Sequence, residues 1–307
     1  MTAENAGTTA IAFIGFGEAA QAFLAGWRTV PGFAAVVTAY DIKTDSPDAA
    51  VREGKRADYV RANVFGASTA PAAVAGAGAV FSVVTADQAH EAAVAAIPGL
   101  AKGAFFFDCD SCAPQTKERT AKAVDAAGGR YVDVAVMAPV HPRLHRTPLL
   151  ISGPHAGAAA PVLAGLGMAA EIHDGPVGSS SAIKMIRSIM MKGLEALVAE
   201  CVLAGTKAGV IEIVLDSLDD TYPGFDWKKR AAHMLERVMT HGVRRAAEMR
   251  EVALTMGLLG FFPAMSRASV DWQQAIGELG LRATAEEAAD YRVLADRILA
   301  HLPAKES

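Results

Sequence analysis

The stretch IAFIGFGEAAQAFLAGW, residues 11–27, decides how the rest of the chain is read. Ile11, Ala12, Phe13 and Ile14 form a short apolar run that stops at Gly15-Phe16-Gly17, and the alanine-rich segment that follows has helix-forming composition. The pattern is strand, tight turn, helix. Gly15 permits the sharp turn, Gly17 lets backbone approach a pyrophosphate with no Cβ in the way, and the small Ala20 allows close packing of helix on strand. Free N–H groups and the dipole at a helix N-terminus favour an anion there. Gly15, Phe16, Gly17, Glu18, Ala19 and Ala20 are therefore candidate cofactor-binding residues.

The next apolar run, 33–40, delivers Asp41 at its end. A carboxylate in that place accepts hydrogen bonds from an adenosine ribose and repels a 2′-phosphate, so it argues for NAD. Lys43 close by leaves NADP possible.

The 307 residues allow about two domains, and 52% hydrophobic with 20% charged residues is an ordinary globular composition. A formal net charge of −4 gives no reason to expect nucleic acid or an anionic membrane as partner. Nothing in the sequence is long and apolar enough for a membrane span, and residues 1–9 lack the pattern of a signal peptide. A cytoplasmic protein is expected. Cys109 and Cys112 are formally C-x-x-C, a redox or metal signature, but no further ligands at suitable spacing accompany them and no metal is expected.

Beyond Asp41, residues 51–60 read as helix, 77–85 and 104–107 as strands, and the alanine-rich segment 88–100 between them as helix. Residues 115–127 suit a helix and 131–136 a strand, followed by a loop at 138–148 whose His141, Arg143, His145 and Arg146 are basic. Residues 149–151 make a last strand candidate, with a short edge strand at 171–173. Alternating short apolar runs and helices predict a doubly wound parallel sheet, a Rossmann domain over 1–177, with its ligand beyond the carboxyl ends of the strands. Val84 and Thr85 fall at that edge and join the cofactor-binding candidates.

From 178 to 307 the texture is all-α. A helix opens at Ser179-Ser180-Ser181, where Ile183, Ile186, Met190, Leu194 and Leu197 predict a narrow apolar stripe facing inward, and Lys184, Arg187 and Ser188 form a polar cluster at i, i+3 and i+4. Further on, His241, Arg244, Arg245 and Glu248 share one face of a helix over 227–256, three potential cations able to grip a carboxylate or phosphate. About 120 helical residues seldom enclose a full core alone, so a homodimer is expected.

Together these landmarks resemble the β-hydroxyacid dehydrogenase family, which includes 3-hydroxyisobutyrate and 6-phosphogluconate dehydrogenases, and most of all a branch whose C-terminal part carries a domain of unknown function. The family's D-x-S-T-x-x-P motif is similar to Asp108-Cys109-Asp110-Ser111-Cys112-Ala113-Pro114, with Asp110 as a departure that argues against a strongly acidic substrate. Its glycine and lysine motif resembles Gly175-Pro176-Val177-Gly178 through Lys184, with Arg187 and Ser188 where the family has asparagines, and His241 stands where a lysine is usual. The resemblance implies NAD(P)-dependent hydride transfer to or from a small 3-hydroxy acid or related alcohol. Lys184 would be the general acid/base, its pKa lowered by desolvation and Arg187, with Ser111, Arg187, Ser188, His241, Arg244 and Arg245 binding substrate. An imine reductase, or a nucleotide sensor that binds NAD without turnover, are the alternatives.

Overall fold

The computed structural model describes residues 10–302. Strand β1 (Ile11–Ile14), buried throughout, runs through the glycine turn into helix α1 (Glu18–Trp27). Gly15 has φ +82°, and a Cβ there would sit 2.8 Å from the Val83 carbonyl oxygen, so the turn tolerates no side chain. The chain continues through β2 (Val37–Tyr40), α2 (Ala49–Arg61), β3 (Phe65–Gly66), α3 (Ala70–Val74), β4 (Ala79–Ser82) and α4 (Ala89–Ala96). Next come β5 (Phe105–Asp108), α5 (Pro114–Ala126), β6 (Arg130–Val136), β7 (Leu149–Ser152), α6 (Ala156–Gly165) and β8 (Ala170–Ile172).

These strands form one eight-stranded sheet in the order β3-β2-β1-β4-β5-β6-β7-β8. Strands β1 to β6 pair parallel with one another. Strand order reverses between β1 and β4, which opens a crevice at the carboxyl edge of the sheet. Side chains alternate across it: Ile11 and Phe13 join an aromatic layer with Phe16, Phe23, Trp27, Phe81 and Phe107, whereas Ala12 and Ile14 face a layer with Val74, Val80, Phe106 and Tyr131. Coverage on both faces is what a parallel sheet needs.

The fully parallel expectation is corrected at one place. β7 pairs antiparallel with β6, Val136 opposite Leu149. The connection at 137–148 contains only a 3-10 turn at Leu144–Arg146, too little for the crossover that a parallel return requires. Short β3 and α3 also escaped the sequence reading, β3 because two residues show no periodicity.

The chain divides into two compact units, Met1–Met185 and Ile186–Ser307. Helix α7 (Ser179–Lys207) crosses that division, followed by α8 (Ile211–Thr221), α9 (Trp227–Leu258), α10 (Ala264–Gly277) and α11 (Tyr291–Leu299). The helical unit has its own core, built on Val198, Val202, Leu203, Leu215, Leu235, Val238, Ile276, Leu294 and Ile298. Helices α9 and α10 touch backbone to backbone: a Cβ at Gly242 would fall 2.3 Å from the Gln273 carbonyl oxygen.

The predicted inward stripe of α7 is also corrected. Ile186, Met190 and Leu197 are exposed, Met190 by 70%, while Ser188, Lys192 and Glu195 are buried. The polar residues find partners on α9 and α10, and these satisfied polar contacts take the inner face. Among the described residues no helix is long and apolar enough to cross a membrane.

His145, read from sequence as a loop cation, is buried where Gly26 and Gly167 leave room for its ring, and neither ring nitrogen has a partner. Burial, then the nearby Arg146 charge, holds its pKa below the ordinary value. The unfolded chain therefore takes up a proton first as pH falls, and stability is lost below about pH 6.5. Unfolding in urea should show that His145→Leu loses less stability than the parent chain between roughly pH 7 and pH 5; an identical loss in both would contradict the assignment.

Candidate functional site

The glycine turn fits a dinucleotide. A Cβ at Gly17 would meet nothing within 4 Å, so the space before the helix is open, and no side chain caps the N-terminus of α1. Glu18 is exposed in the first turn, Ala19 is half-buried and Ala20 is buried against the sheet. The turn is braced from β2. Asp41 Oδ2 accepts the Phe16 N–H at 2.9 Å and Oδ1 accepts the Lys43 N–H at 3.0 Å. Lys55 of α2, missed in the sequence, donates to the Phe16 carbonyl at 2.7 Å and lies 2.9 Å from Asp58 and 3.7 Å from Asp41. Asp41 is thus tied to the glycine turn by its own carboxylate.

Across the crevice, the loop after β4 carries Val84 and Thr85. Its conformation is set by Asp110, whose Oδ1 accepts the Val84 N–H at 2.6 Å while Oδ2 lies 2.6 Å from Ser82 Oγ. Asp110 is buried, so its carboxyl points into the protein and not toward a ligand. This corrects the inference that it repels an acidic substrate. Burial, followed by the charge of Asp108, pushes its pKa well up and favours the protonated form.

Ser111, the next residue, is only half-buried, and Lys184 Nζ donates to its Oγ at 2.5 Å. The lysine stands in the second turn of α7, whose first turn is fixed from β6: Asp133 Oδ2 accepts the N–H groups of Gly178 at 3.0 Å and Ser181 at 3.1 Å, and Oδ1 accepts Ser181 Oγ at 2.6 Å. A carboxylate from the sheet therefore caps this helix. Asp133, fully buried, had a legible signal as a charged residue in an apolar strand, while Lys117, also fully buried, lies on the face of α5 that Pro114, Thr120, Ala121 and Val124 turn inward. Cys109 and Cys112 are buried and unlinked, and burial raises the Cys109 thiol, which leaves it inert as a nucleophile.

The remaining candidates lie in the helical unit, and the structure does not assemble them as three cations. Arg187 is exposed. Ser188 Oγ accepts a hydrogen bond from Lys192 at 3.0 Å, and Lys192 pairs with Glu248 at 2.8 Å. Arg244 also pairs with Glu248, at 2.7 Å, whereas Arg245 is buried in an ion pair with Glu195. His241 is half-buried, and burial, then the charges of Arg237, Arg244, Arg245 and Arg282, hold its pKa down to about 4. It is neutral at physiological pH and offers no cation.

Comparison with known proteins agrees with this architecture. Residues 10–172 match the family described as the NAD binding domain of 6-phosphogluconate dehydrogenase, and residues 206–276 match a domain of unknown function, DUF1932. A conserved hypothetical protein from Sinorhizobium meliloti 1021 is 36% identical over 97% of this chain and 98% of its own, with a TM-score of 0.70. The fold is also that of 3-hydroxyisobutyrate dehydrogenase from Mycobacterium tuberculosis, at 16% identity over 95% and 99% of the two chains and a TM-score of 0.65. An uncharacterized 28.5 kDa protein of Methanothermus fervidus is 27% identical over 150 residues, 48% of this chain and 56% of that protein, so the match spans about half of each.

The contacts of Asp110 generate a stability prediction. Asp110→Ala strands the Val84 N–H and Ser82 hydroxyl and should cost about 1–3 kcal/mol in denaturant unfolding. Asp110→Asn keeps an acceptor for Val84 and a donor for Ser82, and should lose less than about half of that. Equal losses in the two variants would contradict a hydrogen-bonding role.

Proposed function

Because the chain belongs to the family of the NAD binding domain of 6-phosphogluconate dehydrogenase, we propose that it is a nicotinamide-dependent oxidoreductase acting on a small 3-hydroxy acid or related alcohol. The observation that carries this reading is the contact of the Lys184 amine with Ser111 Oγ at 2.5 Å, at the same carboxyl edge of the sheet as the Gly15-Phe16-Gly17 turn. A bound nicotinamide accepts or returns a hydride at the substrate carbon. Lys184 takes the hydroxyl proton during oxidation and returns it during reduction, and Ser111, hydrogen-bonded to that amine, orients the hydroxyl. The open turn of α1 would hold the diphosphate and Asp41 the ribose, an arrangement that would favour NAD over NADP. Val84 and Thr85, in the loop after β4, would help to hold the cofactor at this edge.

In the helical unit, Arg187 and Arg244 are exposed, while Ser188 and Arg245 belong to the α7–α9 network, Ser188 through Lys192 and Arg245 through Glu195. A second copy of the chain covers the exposed apolar side chains of α7 and the segment after α9, where Leu258, Leu259, Phe261, Phe262 and Met265 are all exposed, Phe262 by 83%. The second functional reading is a nucleotide sensor without turnover. It is favoured by Ser188, which is engaged by Lys192 where a substrate contact was expected.

Lys184→Met should lower kcat by a factor of about 10²–10⁴ and leave the NAD dissociation constant nearly unchanged, read by NADH absorbance across a panel of 3-hydroxy acids and by fluorescence titration. Saturable NAD binding with no turnover anywhere in a broad panel would favour the sensor. Asp41→Ala should weaken NAD by about tenfold more than NADP; equal weakening would overturn the assignment of NAD.

A further inference from the structure

Lys117 is 0% exposed, yet no apolar reason brings it inside. Its Nζ donates to Asp108 Oδ1 and to the Asp108 carbonyl, both at 2.7 Å, and stands 3.7 Å from Asp133 Oδ1. Tyr131 donates to Asp108 Oδ2 at 2.5 Å. Two arms leave this centre. Along β5, Asp108 Oδ1 accepts the Asp110 N–H at 3.0 Å, and the next residue is Ser111. Along β6, Asp133 holds the N–H of Gly178 and both the N–H and hydroxyl of Ser181, one turn before Lys184 on α7. The arms meet again where the Lys184 amine touches Ser111 Oγ.

We propose that Lys117 and Asp133 are positioning residues that fix the Lys184 amine against Ser111 and set its proton affinity through the charge balance beneath it. The proposal deepens the role assigned to Lys184 in hydride transfer and rests on it for its functional meaning, but its test reads the amine directly. The chemistry is that of a buried ion cluster. Asp108 and Asp133 bring two negative charges, Lys117 one positive charge, and the neighbouring Asp110 carboxyl favours its neutral form. Tyr131 stays a neutral donor because burial, then the charge of Asp108, raises its pKa. The Cys109 thiol and the Ser82 and Ser111 hydroxyls carry no charge on this side, and Arg187 follows Lys184 on its own helix. Burial alone drives the Lys117 amine toward its neutral form, but the carboxylates around it, Asp108 foremost, outweigh that effect and keep it charged. Removing the Lys117 charge leaves the surroundings of Lys184 more negative, and removing the Asp133 charge leaves them more positive. A loosened structure without this coupling would carry the amine the same way in both variants, toward the ordinary lysine value.

Competitive acetylation of the whole chain with acetic anhydride, followed by mass spectrometry of the peptide holding Lys184, gives the titration midpoint of that amine without any substrate. Lys117→Met should move the midpoint up by about one pH unit and Asp133→Asn should move it down by about one, with the fold checked by circular dichroism. Should Lys117→Met fail to fold, Tyr131→Phe is the nearly isosteric replacement: it strips one donor from Asp108 and should also move the midpoint up. Midpoints that stay in place, or that shift in one common direction, in folded variants would overturn the proposal. Opposite shifts in a chain that turns over nothing would support it and sink only the dehydrogenase reading.

Discussion

The carboxyl edge of the sheet depends on a charge that water does not reach. Lys117 sits between Asp108 at the end of β5 and Asp133 in the middle of β6, and its ammonium is shared by the two carboxylates. Breaking such a buried pair by deleting one partner costs about 3–5 kcal/mol, because the other charge is left without compensation. Neither strand can therefore drift on its own. The loop that carries Ser111 and the helix that carries Lys184 inherit that rigidity from the carboxylates at their roots, so a precise contact between two half-buried side chains is underwritten by fully buried ones.

The same logic works on the other side of the crevice, with weaker forces. Asp110 accepts the Val84 N–H, the Val83 N–H donates to the Ile14 carbonyl, and Asp41 with Lys55 grips both backbone groups of Phe16. Cofactor turn, β4 loop and the Ser111 loop are therefore linked by short hydrogen bonds through successive strand ends. Pre-formed donors and acceptors of this kind spare a ligand the ordering that it would otherwise impose on binding.

How much of this was legible in the sequence follows from the range of each interaction. The G-F-G turn, Asp41 and the Asp108-to-Pro114 motif are local: their residues are close in the chain, and backbone sterics or a strand end fix their place. The helix that carries Lys184 was legible because its polar and apolar residues recur at three and four. What escaped was long-range. The orientation of Asp110 depends on Ser82 and Val84, 28 and 26 residues away, and the cap of α7 comes from Asp133, 48 residues before Ser181. The antiparallel β7 turned on a connection whose lack of a helix was visible, but a run of Leu149, Leu150 and Ile151 has no direction written in it. His241 and Arg245 read as cations because composition cannot show that one is held neutral and the other is spent on Glu195.

Helix α7 shows why periodicity alone misassigns a face. An apolar stripe is normally the buried one, since each large side chain removed from water contributes about 1.5–3 kcal/mol. Here Lys192 and Glu195 take the inner side because Glu248, Arg245 and Gln273 answer them there, and half-satisfied charges would cost more than exposed methionines and isoleucines do. A buried polar network adds little net stability compared with well-packed apolar residues, but it accepts one rotation of the helix and rejects others, since a turn of α7 about its axis would strand its charges. On α7 the pairs that hold Ser188 and Lys192, one turn apart, therefore select the face that this helix turns toward α9 within the helical unit.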